Sequence, residues 1–199
     1  MTSNFDFNIQ LDKPAVKGAF IFEYNAKSPQ NSSWRNTLNP LNVARLLADT
    51  VLLPNSTVFI INGISGGAAA RHLDRFQTIF NAEIFDPISE VFTPVASNPR
   101  QDHPRGYYSI AVLLPNTQVA IAGNTGVYNP QEILNDNNNV SIQIYDPPYL
   151  FTGKPLVINS IPAQATYGSL INVNTLAGLL VASVIIIQPC AVMHSVDID

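Results

Sequence analysis

TVLLPNSTVFIING, residues 50–63, contains two short apolar runs separated by Leu-Pro-Asn. Proline and asparagine together favour a turn, and the closing Asn-Gly dipeptide readily adopts a positive φ. Runs of this length that are rich in branched residues and bounded by turn residues are typical of β-strands. The segment therefore predicts two strands joined by a tight turn.

The same pattern returns at residues 111–124, AVLLPNTQVAIAGN, which begin 61 positions later (111 − 50). A second motif recurs as well, because EIFDP at residues 83–87 corresponds to QIYDP at residues 143–147, 60 positions later (143 − 83). A fainter copy, FEYN, lies one period upstream at residues 22–25. A repeat of this length with several short strands is typical of β-propeller blades. The units are kelch-like, but the usual double glycine of a kelch repeat is replaced by Asn-Gly in the first unit and by Gly-Asn in the second.

The composition favours an all-β fold. Charged residues make up 12% of the chain, about half of the usual ~25%, and the 15 prolines favour many turns. The net charge is −4 and no basic run occurs, which excludes the usual nucleic-acid-binding classes. Residues 42–48 are the one helix candidate, with the approach to a strand as the alternative.

No secretory leader or membrane partner is expected. The N-terminus has no basic and apolar regions of the kind found in signal peptides. The apolar run at residues 176–187 is shorter than the ~20 residues that a membrane helix needs, so it predicts a buried strand. Cys190 lies beside this run, and its sequence environment predicts a buried, unreactive thiol.

The repeat ends at PPYLF, residues 147–151, because two adjacent prolines interrupt a strand ladder. We therefore predict an incomplete kelch-like propeller of two to three blades in residues 1–148. Residues 149–199 predict the start of a β-sandwich, with strands near 156–158, 167–173 and 181–187. A propeller typically has about 4–8 blades, so the chain is expected to be a piece of a larger architecture.

Two motifs carry a resemblance to a known family, namely RGYYS at residues 105–109 and MHS at residues 193–195. Together with the repeat, the PPYLF junction and Tyr167-Gly168, their order resembles that of the copper radical oxidases, such as galactose oxidase and glyoxal oxidase. The similarity covers roughly residues 20–199. The resemblance implies a seven-bladed propeller followed by an immunoglobulin-like, early-set domain. The family pattern is Arg-x-Tyr-His-Ser before a strand and Thr-His-Ser in the second domain.

The resemblance also implies a copper site. In the family, two histidines, an axial tyrosine and a tyrosine cross-linked to cysteine hold copper, and dioxygen is reduced to hydrogen peroxide. By position, Tyr107 resembles the axial tyrosine, which also accepts the substrate proton, and His194 resembles the histidine of the second domain. Tyr108 stands where the family has its other histidine, and a phenol is a poor substitute for imidazole. Cys190 lies in the wrong domain to form the cross-link.

We therefore expect a truncated, inactive copy of an oxidase of small aldehydes, primary alcohols or sugars, which does not bind copper tightly. An extracellular location is implied by the resemblance alone. The alternative is a non-catalytic kelch-type module that binds a protein or a glycan, because propellers carry many functions on one scaffold.

Overall fold

The computed structural model of the protein describes residues 14–66, 78–95, 105–106, 109–123, 141–153, 156–176, 181 and 183–188. Within these ranges the protein is all-β, since they contain strands and two short 3-10 helices, Pro29–Asn31 and Pro148–Phe151, but no α-helix. No helix long and apolar enough to cross a membrane occurs in this part of the chain. The strands are β1 Phe20–Glu23, β2 Ser33–Asn36, β3 Asp49–Leu52, β4 Val58–Ile61, β5 Glu83–Asp86, β6 Val91–Pro94, β7 Ile110–Leu113, β8 Val119–Ala122, β9 Gln143–Tyr145, β10 Ile158–Ser160 and β11 Asn174–Thr175.

The central sheet is antiparallel and has the order β3-β4-β5-β6. Its first two strands are those predicted from residues 50–63, with Val51 opposite Phe59 and Leu52 opposite Val58. The predicted positive φ at the end of β4 is also confirmed, since φ is 65° at Asn62 and 100° at Gly63. The kelch-like unit predicted from the repeat is therefore a sheet in the structure.

Two further sheets repeat parts of this unit. In the sheet β7-β8-β9, Val112 lies opposite Ala120 and Ala120 lies opposite Ile144. In the sheet β1-β2, Phe22 lies opposite Trp34, as Phe85 lies opposite Phe92 in the pair β5-β6. We therefore equate β1-β2 with the pair β5-β6 of the central sheet.

Successive residues of a strand point to opposite faces of its sheet, so the central sheet has two different apolar faces. We call the face with the row Val51, Phe59 and Ile84 the forward face, and the face with the row Val58, Phe85 and Phe92 the rear face. The forward face packs on the β7-β8-β9 sheet in one buried cluster, and the ring of Phe59 stacks on that of Tyr145 with centroids 4.4 Å apart.

The rear face of the central sheet packs on β1. Phe85 and Phe92 form a second buried cluster, against which Ile21 of β1 packs. Arg35 of β2 strengthens this boundary because its guanidinium contacts both carboxylate oxygens of Glu90, at 2.9 and 2.5 Å. Both boundaries between sheets therefore join a forward face to a rear face.

The helix candidate at residues 42–48 is not a helix but the approach to β3. Its backbone is held by the buried carboxylate of Glu83, which accepts hydrogen bonds from Asn42 N at 2.7 Å and Val43 N at 3.2 Å. A side chain from a distant strand thus replaces the internal hydrogen bonds of a helical turn.

In residues 156–176 the structure shows one antiparallel pair, β10-β11, with an irregular register. The immunoglobulin-like sandwich predicted for residues 149–199 stays a prediction. The prediction of a buried strand at residues 176–187 is wrong for the described residues of that run, which are not in a strand. Val184 is 61% exposed and Ile186 65% exposed, because no sheet covers them in the described part of the chain.

Candidate functional site

The residues that flank Tyr107 and Tyr108 lie where β3 and β7 begin and β4 ends. The hydroxyl of Ser109 lies 2.7 Å from Asp49 Oδ2 and 2.7 Å from the carbonyl oxygen of Gly106, so these two acceptors share its proton. Asp49 Oδ2 also accepts a hydrogen bond of 2.5 Å from Asn62 Nδ2. This network connects the central sheet to the segment that carries the tyrosine pair.

The carboxyl of Asp49 is electrostatically unusual. Burial raises its pKa above the ordinary value, and the hydrogen bonds from Asn62 and Ser109 act in the opposite direction. Desolvation disfavours the charged form of a carboxyl group, whereas hydrogen-bond donors favour it. Asp49 therefore holds a proton to a higher pH than an exposed aspartate does.

Arg105, the first residue of RGYYS, is fully buried. Its Nη1 donates to Gly123 O at 3.0 Å, and its Nη2 donates to Ser141 O at 3.2 Å and Ser141 Oγ at 3.0 Å. These acceptors follow β8 and precede β9, so the guanidinium closes the end of the β7-β8-β9 sheet. A side chain held in this way serves the scaffold rather than a substrate.

Arg45 has the same role one repeat earlier (105 − 45 = 60). Its Nη1 donates to Asn62 O at 3.2 Å and its Nη2 donates to Asn81 O at 3.0 Å. These carbonyls precede those of Gly123 and Ser141 by 61 and 60 positions (123 − 62 and 141 − 81). The spacing of the two arginines equals the repeat period, which is the sequence signal from which their shared role could have been predicted.

Arg45 has a buried carboxylate partner, since its Nη2 lies 2.8 Å from Glu83 Oε1 and both side chains are 1% exposed. Desolvation by burial lowers the pKa of Arg45, and Glu83 counteracts this effect. At the corresponding place in the next repeat the chain has Gln143 (143 − 83 = 60). The arginine therefore recurs in both repeats, whereas the residue at the position of Glu83 changes from a carboxylate to an amide.

The backbone of Arg105 is anchored to the central sheet. The amide of Gly63 donates to Arg105 O at 3.0 Å. A Cβ atom at Gly63 would lie 2.6 Å from the carbonyl oxygen of Leu46, and φ at this residue is +100°. Only glycine tolerates both conditions, which explains the Asn-Gly dipeptide at the end of β4.

The candidate ligands themselves, Tyr107 and His194, lie outside the described residues, as do Tyr108 and Cys190. The structure therefore does not test their roles. In the preceding repeat the positions of the two tyrosines hold Leu47 and Ala48, 60 places earlier (107 − 47). An arginine at this position is thus common to both repeats, whereas the tyrosine pair occurs in the second repeat alone and is not explained by the scaffold.

The described residues around this segment do not fit a copper centre on their own. The described ranges contain no group of three or more His, Cys, Asp and Glu side chains that could hold a metal ion. The polar atoms of Asp49, Asn62 and Ser109 are oxygens and an amide already bonded to one another, whereas copper favours imidazole nitrogen. These residues support the segment that carries the candidate ligand Tyr107.

Residues 24–149 match the family described as Glyoxal oxidase N-terminus. The chain belongs to the glyoxal oxidase N-terminal family. The match includes both kelch-like repeats and RGYYS. The predicted resemblance to glyoxal oxidase, a copper radical oxidase, is confirmed as membership of this N-terminal family.

Two plant proteins are similar in sequence to this glyoxal oxidase-like chain. Aldehyde oxidase GLOX1 of Arabidopsis thaliana is 28% identical over 167 residues, which cover 80% of this chain and 26% of that protein. Aldehyde oxidase GLOX of Vitis pseudoreticulata is 29% identical over 127 residues, which cover 62% of this chain and 24% of that protein. The chain thus spans about a quarter of the length of these relatives.

One solved structure shows the fold. A fungal alcohol oxidase of the AA5 family, in complex with copper, superposes with a TM-score of 0.65 and 21% sequence identity. The match covers 81% of this chain and 32% of the oxidase. The all-β, kelch-like architecture of the glyoxal oxidase-like chain is therefore similar to the corresponding part of this solved structure.

Proposed function

We propose that the chain carries part of the copper site of an oxidase that converts aldehydes or primary alcohols with dioxygen. Tyr107 would hold copper and accept the substrate proton, and His194 would hold copper as the second ligand. The observation that carries the proposal is the family match over residues 24–149, which includes Tyr107 within RGYYS. Tyr107 belongs to the proposed propeller part, residues 1–148, and His194 to the proposed early-set part, residues 149–199.

The described residues contribute by fixing both ends of the tyrosine segment. On one side Arg105 is fully buried and its carbonyl oxygen accepts from Gly63 N at 3.0 Å. On the other side Ser109 is hydrogen-bonded to Asp49 at 2.7 Å. A metal ligand must be held within about 0.5 Å of its productive position by such supporting contacts.

Tyr107 needs a cation nearby to accept a proton at its phenolate oxygen at neutral pH, because the unperturbed phenol has a pKa of ~10. Copper, when bound, would supply that positive charge and a one-electron acceptor. The resemblance implies a second electron acceptor, the tyrosine cross-linked to cysteine. The one cysteine in these 199 residues is Cys190, in the part proposed to be the early-set domain, so these residues alone do not complete the pair.

We further propose that the chain by itself neither binds copper tightly nor turns over substrate. Tyr108 occupies the place of a histidine ligand, and of the four protein ligands implied by the family these residues supply two. A phenol that is mostly protonated at neutral pH binds copper less well than imidazole does.

The experiment is a Cu(II) titration of the purified chain, followed by electron paramagnetic resonance and by peroxide assays with glyoxal, methylglyoxal and galactose. We expect weak copper binding that decreases in both Tyr107→Phe and His194→Ala, and no catalytic peroxide. Tyr167→Phe is the matched control, because this tyrosine is fully exposed to solvent. Catalytic peroxide from the unaltered chain would refute the proposed inactivity, and copper binding insensitive to both ligand variants would refute the assignment.

A non-catalytic kelch-type module for a protein or glycan is the second candidate, favoured by Tyr108 in place of the ligand histidine. It predicts that the chain shows no stoichiometric copper binding and that Tyr107→Phe changes nothing in the titration.

A further inference from the structure

Three of the sheets, namely β1-β2, the central sheet and β7-β8-β9, stack by one rule. The forward face of one sheet packs on the rear face of the next. The forward face of β1-β2 contacts the rear face of the central sheet through Ile21. The forward face of the central sheet contacts the rear face of β7-β8-β9 through Phe59 and Tyr145. The stack is therefore directional and has two different outer faces.

The rear face of β1-β2 is apolar and open to solvent. Phe22 and Trp34 form a cross-strand aromatic pair with ring centroids 5.0 Å apart, and they are 46% and 68% exposed. Phe20, on the same face, is 63% exposed. In the other two sheets the aromatic residue equivalent to Phe22 is Phe85 or Tyr145, and these are 9% and 3% exposed because a forward face covers them.

The forward face of β7-β8-β9 is the complementary outer face. Its central row consists of Val112, Ala120 and Ile144, which corresponds to the row Val51, Phe59 and Ile84 of the central sheet. Ile144 is 44% exposed, and Ile142 just before β9 is 69% exposed. The position that holds the large ring of Phe59 in the central sheet is occupied here by the small Ala120.

We propose that the forward face of β7-β8-β9 binds the rear face of β1-β2 of a second copy of this chain. The interface continues the rule that already joins the sheets within one copy, with Ile144 in the place of Ile21 and Phe22 in the place of Phe85. The sizes are complementary, because the bulky Phe22–Trp34 pair meets a face on which alanine replaces phenylalanine, and cores require filled volume. None of the residues in either row is charged, so no ion is desolvated.

The two faces that meet are different, so the interface is heterologous. After the first contact one copy keeps a free rear face and the other keeps a free forward face, and such contacts extend into rings or open chains. Exposed apolar patches of this kind commonly mark association sites. The inference does not depend on copper or on the proposed oxidase activity.

The first test uses Trp34, the one tryptophan of the chain. Its indole fluorescence should shift to shorter wavelength as the full chain is concentrated from about 1 µM to about 100 µM, a range that reveals weak interfaces. Light scattering on the same samples should show a parallel increase in mass. A constant single-chain mass with an unchanged emission maximum would overturn the proposal.

The second test separates the two faces. Trp34→Glu disables the rear face and Ile144→Glu the forward face, and each should weaken self-association at least about 30-fold, as loss of an interface anchor does. When mixed, the two variants should form a 1:1 dimer that grows no further, because each supplies the face that the other lacks. In the mixture only the Ile144→Glu chain carries tryptophan, and its emission should shift.

Ile88→Glu is the matched control, because Ile88 is 92% exposed in the β5-β6 turn and belongs to neither face. It should associate like the unaltered chain, and all three variants should keep the same circular dichroism spectrum. An equal loss in Ile88→Glu would show unspecific association and overturn the proposal. So would a mixture that stays single-chain, or one face variant that still associates alone.

Discussion

Ser109 Oγ lies 2.7 Å from Asp49 Oδ2, although the two residues stand 60 positions apart in the sequence (109 − 49). The hydrogen bond joins the starts of β3 and β7, next to the segment that carries Tyr107. Successive repeats thus contact each other where the chain departs from the repeat. Replacing either side chain should therefore affect both the stacking of the sheets and the placement of this segment.

Asp49→Asn should change the pH dependence of stability. Burial raises the pKa of Asp49 in the folded protein, so the folded state holds this proton more tightly than the unfolded state does. Its contribution to the free energy of unfolding is therefore full below the ordinary aspartate pKa of ~3.9 and is lost as the pH rises through the raised pKa. Thermal unfolding of both proteins between about pH 4 and 8 should show a smaller decrease with pH in Asp49→Asn.

Asp86→Asn is the control, because it should change the pH dependence of stability in the opposite direction. The hydrogen bond from Ile88 N, 2.8 Å long, and that from Ser89 lower the pKa of Asp86. Its stabilising contribution is present above the ordinary pKa and is lost on acidification. If Asp49→Asn and Asp86→Asn changed the pH profile in the same direction, the role given to Asp49 would be wrong.

The strands of the repeats could be predicted because short apolar runs between turn residues recur at a fixed period. The same period relates Arg45 to Arg105, so their equivalence could also be predicted. Their hydrogen-bond acceptors could not, because these are backbone carbonyls that come together only in the folded sheet. Residues 181–187 were predicted as a buried strand from hydropathy alone, which does not say whether another sheet is present to cover them. The sequence motif identified the tyrosine segment, but not Asp49 as its support.

Arg45→Met should destabilise the protein by about 3–5 kcal/mol, because it leaves the carboxylate of Glu83 buried without its cation. Glu83→Met should be similarly harmful, since Glu83 also binds the backbone amides of Asn42 and Val43. Replacing both residues should cost clearly less than the sum of the single changes, because the two side chains are coupled at 2.8 Å. Urea denaturation of the four proteins measures this coupling, and strict additivity would contradict it.

Gly63→Ala should destabilise the protein by about 3 kcal/mol or more, because a positive φ and a backbone clash are combined at this residue. The added Cβ would lie 2.6 Å from Leu46 O at a φ of +100°. Gly168→Ala is the matched control, since its φ is +81° but nothing lies within 4 Å of the added atom. It should cost only about 1 kcal/mol, the conformational part alone. Equal losses in chemical denaturation would argue against the clash.

Phe85→Ala and Phe22→Ala remove equivalent aromatic rings in different surroundings. Phe85 is 9% exposed in a packed cluster, whereas Phe22 is 46% exposed on the open rear face. We expect a loss of about 3–5 kcal/mol for Phe85→Ala and less than about 1 kcal/mol for Phe22→Ala at low protein concentration. Calorimetry of dilute samples compares the two, and a large loss for Phe22→Ala in a single-chain sample would show that its face is covered.

Tyr108→His should raise the affinity for copper without creating oxidase activity. By the family pattern the change adds an imidazole beside Tyr107 and His194, which gives three of the four protein ligands. Imidazole binds copper more strongly than a protonated phenol does, so a tetragonal Cu(II) signal in electron paramagnetic resonance is expected. These 199 residues contain one cysteine, Cys190, and the proposed domains separate it from the propeller position where the cross-linked pair belongs. Two-electron oxidation of an alcohol should therefore remain absent, and peroxide production by the variant faster than by free copper would show that the radical site has been misassigned.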